Sequence, residues 1–85
     1  MSLKTEITDL THSDRPWVAE RAKIAEAISE QHAAGQLDAD EAKELLADLI
    51  ATDKLDKDAD DMEMKEELQR VINGLIAAIE VASSL

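Results

Sequence analysis

The stretch AAGQLDADE, Ala33–Glu41, decides how this chain folds. Gly35 suits the left-handed backbone position just past a helix end, where a side chain would be strained. Leu37 can then pack back over the last turn of that helix. Asp38 is placed to cap the next helix, and Glu41, three residues on, can reach back to complete a capping box. One helix therefore ends and another starts within a few residues, and so short a link implies an antiparallel helical hairpin.

Working towards the N-terminus, HSDRP (His12–Pro16) reads as the start of the first helix, expected over 15–34. Ser13 or Asp14 can accept from its unpaired backbone N–H groups, and Pro16 is tolerated in a first turn. Trp17, Ile24, Ala25 and Ile28 form its apolar stripe, with Val18 and Ala22 alongside. Residues 1–13 hold Leu3, Ile7 and Leu10 at i, i+4 and i+7 among three threonines; a short amphipathic turn and an N-terminal arm both fit, and the arm is the reading adopted. Towards the C-terminus, Ala42, Leu45, Leu46, Leu49 and Ile50 recur at helical spacing and place a second helix over 39–52. The segment AGQLDADEAKELL, Ala34–Leu46, resembles the helical hairpins of small bacterial oligomerisation modules. That resemblance implies a hairpin and carries no function with it.

A third and longer helix is expected over 59–83. Met64, Leu68, Val71, Ile72, Leu75, Ile76, Ile79 and Ala82 make its main face. The fold expected is all-α: a three-helix protein in one helical domain, 14–85, with the hairpin packed on the long C-terminal helix. Dimerisation as a helical bundle is part of that expectation, for reasons that lie in the tail.

The tail is NGLIAAIEVASSL, Asn73–Leu85. Opposite its main face stand Gly74, Ala77, Ala78 and Val81, and Glu80 is the one charge between Gly74 and Val81. A helix apolar nearly all round expects neighbours on more than one side. Gly74, Ala78 and Ala82 recur every fourth residue, a spacing of small side chains that permits close helix approach. The expected interface is thus Gly74, Ala77, Ala78, Val81, Ala82 and Leu85, meeting a second copy of the same helix.

Composition narrows the function classes. The chain has 85 residues, no Cys, no Phe, no Tyr and one Trp, so it is one small domain with little aromatic volume. Without Cys there is no disulfide, thiolate chemistry or cysteine zinc site, which fits a reducing compartment and makes cytoplasmic the expected location. Met1–Leu10 is too polar for a signal peptide, and no apolar run reaches the ~20 residues that cross a bilayer. Net charge is −11. The acid is concentrated centrally, while residues 68–85 hold one Arg and one Glu. Such a field repels nucleic acid and anionic lipid and favours a basic protein partner.

DKDADDMEMKEE, Asp56–Glu67, asks for closer reading. Asp56, Asp58, Asp60 and Glu67 occupy the first, third, fifth and twelfth positions, the carboxylate spacing of an EF-hand calcium loop. The sixth position needs Gly for a sharp turn and holds Asp61; the eighth is ordinarily apolar and holds Glu63. Acids also belong at a helix start, where exposed N–H groups and the helix dipole favour them. The helix entrance is the reading adopted, with a weak calcium loop as an alternative. A second alternative is an acidic inhibitor or nucleic-acid mimic, of the kind phages and mobile elements encode. There, Asp53, Asp56, Asp58, Asp60, Asp61 and Glu63, with the acids of the second helix, would stand in for phosphates against a basic protein surface.

Nothing else suggests chemistry. His12 and His32 lack the Glu-x-x-His pairing of a di-iron bundle and are expected to face solvent. No nucleophile motif or Gly-rich phosphate loop is present, so neither catalysis nor a cofactor is expected. Trp17 is read as core rather than as an anchor for a partner. The function expected is that of a non-enzymatic interaction or oligomerisation module.

Overall fold

In a computed structural model, which describes residues 3–51, 55–57 and 59–84, the helices are α1 (Leu3–Leu10), α2 (Pro16–Ala33), α3 (Ala39–Leu49) and α4 (Met62–Ser84). A single helical turn at 55–57 lies between α3 and α4, and no described residue is in a strand.

The α2–α3 link forms as its residues require. Gly35 has φ +79°. Its N–H donates to the carbonyl of His32 at 3.1 Å, and the N–H of Gln36 donates to that of Gln31 at 2.8 Å. That pair of bonds is the Schellman closure of a helix C-terminus. Asp38 accepts from the N–H of Glu41 at 2.8 Å, and the Glu41 side chain accepts from the N–H of Asp38 at 3.5 Å. Leu37 packs against the core. Arg21 then donates from Nε to the carbonyl of Leu49 at 3.1 Å, setting the first half of α2 beside the end of α3.

One apolar cluster joins all four helices. Val18, Ala22 and Ala25 of α2, Ala42 and Leu46 of α3, and Leu68, Val71 and Ile72 of α4 are fully enclosed. Trp17 is core, as expected, at 8% exposure.

The structure corrects several expectations. Residues 3–10 are a helix and not an arm: Ile7 and Leu10 are buried in the common core, so α1 is a fourth helix. Glu6 pairs with Arg70 of α4, and Thr8 Oγ1 donates to Glu26 of α2 at 2.9 Å. An eight-residue helix is too short to hold itself in water, and these contacts supply what its sequence lacks. The N-cap of α2 is Arg15 without a side-chain cap, while Ser13 Oγ accepts from the Arg15 N–H at 3.2 Å. Ile24 and Leu45, expected on buried stripes, are 49% and 46% exposed. Ala82, expected on the main face of the last helix, is also exposed.

Leu55 adds a residue the apolar pattern did not reveal. It is fully buried; its N–H donates to the carbonyl of Ala51 at 3.0 Å, and its carbonyl accepts from the N–H of Ala59 at 2.8 Å. This leucine pins the connection between α3 and α4 to the core.

Candidate functional site

The last turns of α4 carry the surface on which function is best sought. Leu75 and Ile79 face the core, whereas Ala77, Ala78, Val81 and Ala82 are exposed and Gly74 is half-buried. Val81 is 62% exposed, a high value for a β-branched side chain in a helix. Leu85 lies outside the described residues. At 1.5 Å per residue α4 runs for roughly 34 Å, α3 for roughly 16 Å and α1 for roughly 12 Å. α3 reaches α4 through Lys43, which pairs with Glu80 at 3.6 Å, and α1 reaches it at Arg70 and Leu75.

Beside the strip, α2 and α4 form a groove of about 220 Å³ lined by Ser29, His32, Leu75, Ala78, Ile79 and Ala82. A second hollow of about 200 Å³ continues from Ser29 and Leu75 towards Lys4 and Ile7 of α1. The Ser29 hydroxyl oxygen is enclosed without a hydrogen-bond partner. His32, expected to face solvent, is half-buried here, and His12 is exposed.

The acidic stretch is organised differently from a metal loop. Asp56 pairs with Lys65. Asp60 accepts from Arg15 and from the indole of Trp17, both at 3.0 Å. Asp61 pairs with Arg15 at 2.9 Å, and its other oxygen accepts from the N–H of Met64 at 3.2 Å, the arrangement of an N-cap on α4. Glu67 lies 4.0 Å from Arg70, and Glu63 is exposed. Asp53 and Asp58 lie outside the described residues. The structure therefore sends Asp56, Asp60 and Glu67 to three different cations rather than to one centre. Among the described residues no group of three acidic or histidine side chains is arranged to hold a metal ion.

Asp60 is held below the usual carboxylate value. The indole hydrogen bond from Trp17 is the main cause and the charge of Arg15 adds to it, while partial desolvation opposes both. Reasoning from sequence missed this cluster, because Arg15 and Trp17 sit more than forty positions from Asp60 and no local pattern joins them.

Among the described residues no helix is long and apolar enough to cross a membrane. No protein-family model, curated protein or solved structure matches this chain.

Proposed function

We propose that this chain is a non-enzymatic assembly module. Its α2–α3 hairpin, laid on α4, forms half of a homodimer joined through the outer strip of α4 and the adjoining groove. One observation carries the reading: Ala77, Ala78, Val81 and Ala82 stand exposed on consecutive turns at the end of α4, beside the core-facing Leu75 and Ile79. Small side chains there let a second α4 approach closely, and Val81 supplies the larger apolar contact. A standard interface takes about 800 Å² from each partner. That is a substantial share of a chain exposing 5356 Å², so the strip needs the Ser29–His32 side of the groove to reach it.

Charge favours the same place. Each copy carries −11, yet residues 68–85 hold one Arg and one Glu. Two acidic molecules therefore meet there with the least repulsion. The phosphate-mimic alternative has less support, since Asp56, Asp60 and Asp61 engage cations of this chain.

Sedimentation equilibrium at about 0.1 and 1 M salt tests the reading, because salt screens charge attraction and leaves apolar burial standing. The expected result is a dimer at both. A monomer at both, or assembly that dissolves at high salt, would overturn it.

A further inference from the structure

We propose that the hollow between α1, α2 and α4 binds a free apolar amino acid. Lys4 receives its carboxylate, Glu30 receives its ammonium group, and its side chain lies over Ile7 and Leu75. The site is separate from the outer strip of α4 and does not depend on dimerisation.

The hollow holds about 200 Å³. α1 contributes Lys4 and Ile7, α2 contributes Glu26, Glu30 and Ala33, and α4 contributes Leu75. Ile7 and Leu75 belong to the common core and give the hollow an apolar base. Sites for drug-sized ligands span roughly 300–1,000 Å³, so this one suits a smaller molecule.

Two opposite charges border this space without meeting. Lys4 and Glu30 are exposed and stand on different helices, and neither has an ion-pair partner among the described residues. Glu26 is already engaged, since it accepts from Thr8 Oγ1 at 2.9 Å. Elsewhere the chain closes charges of this kind between helices. Glu6 of α1 meets Arg70 of α4 at 3.3 Å, and Lys43 of α3 meets Glu80 of α4 at 3.6 Å. Lys4 and Glu30 are instead left open on either side of an apolar base.

The occupant follows from complementarity. Small-ligand sites are mostly apolar, with a few polar or charged groups that fix orientation. A simple anion would meet Glu26 and Glu30 as well as Lys4, and a simple cation would meet Lys4. A zwitterion satisfies both sides through charge-assisted hydrogen bonds. An α-amino acid carries its ammonium and carboxylate groups on one carbon, which leaves an aliphatic side chain free to cover Ile7 and Leu75.

The test titrates the isotope-labelled full chain with L-leucine at constant pH and ionic strength, followed by amide chemical shifts. Leucine amide, N-acetyl-leucine and glycine serve as controls that lack the carboxylate, the ammonium group and the side chain. Shifts should saturate and centre on residues 4–10, 26–33 and Leu75, and each control should bind about tenfold more weakly or worse. Lys4→Gln should erase the preference for leucine over leucine amide, and Glu30→Gln the preference over N-acetyl-leucine. Both positions are exposed, so these variants should keep the parent melting temperature. Ala78→Glu, which disrupts the proposed dimer contact, should leave leucine binding unchanged. The proposal is overturned if no shift saturates at about 50 mM leucine, or if shifts centre elsewhere. It is equally overturned by preferences that survive the two substitutions, or by loss of binding in Ala78→Glu.

Discussion

Trp17 donates its indole N–H to Oδ1 of Asp60 at 3.0 Å, tying the start of α2 to the residues just before α4. The single tryptophan of the chain thus reports on one carboxylate. Asp60 titrates below its ordinary value of 3.8 in the folded chain, chiefly because of that bond. A depressed carboxylate contributes stability that is full above the ordinary value and is lost as pH falls through the folded value. Acid titration followed by Trp17 emission should show a step below pH 3.8 that is missing in Asp60→Asn. Identical profiles for the two proteins would mean that the bond does not form in solution.

Leu55 and Leu45 separate core from surface within one stretch of chain. Leu55→Ala should lose about 2–5 kcal/mol in urea unfolding, enough to unfold much of so small a domain. Leu45→Ala, at a half-exposed position, should stay within about 0.5 kcal/mol. Equal losses would contradict the burial of Leu55.

Gly35 is needed for its backbone and not for space. A Cβ there would meet nothing within 4 Å, yet φ is +79°. Gly35→Ala should therefore cost about 1–2 kcal/mol from conformation alone. Gly35→Asn, which tolerates the left-handed region, should cost less by the same denaturation measurement.

Calcium should leave the molecule unmoved. Asp56 and Asp60 are engaged by Lys65 and Arg15, and Asp61 caps α4. Millimolar calcium should shift the melting temperature no more than magnesium at equal ionic strength. A calcium-specific rise that disappears in Asp56→Asn plus Glu67→Gln would restore the EF-hand reading.

What could be read from sequence was what is local. Gly35, Asp38 and Glu41 act on backbone groups a few residues away, so their chemistry is written in adjacent letters. The apolar character of the tail shows on a wheel without its neighbours, but which of its residues are covered does not, and Ala82, assigned to the main face, is exposed. α1 showed only as the less favoured of two readings, because eight residues do not make a stable helix until Ile7 and Leu10 find the core. A lone Leu55 among charges has no periodicity to betray it. Ile24 and Leu45 fit their stripes on paper, but where a stripe ends depends on where the adjacent helix sits. The Arg15–Trp17–Asp60 cluster is wholly tertiary, and only the folded chain brings its members together.

Light scattering on the wild type and on Ala78→Glu tests the central claim most directly. Ala78 is exposed and lines the α2–α4 groove, so a carboxylate there burdens a contact with another molecule and spares the core. The expected masses are about twice the chain mass of 9.3 kDa for the wild type and the chain mass itself for Ala78→Glu, with helicity unchanged. A wild type that remains at 9.3 kDa at millimolar concentration, or an Ala78→Glu that scatters as the wild type does, would contradict assembly through α4.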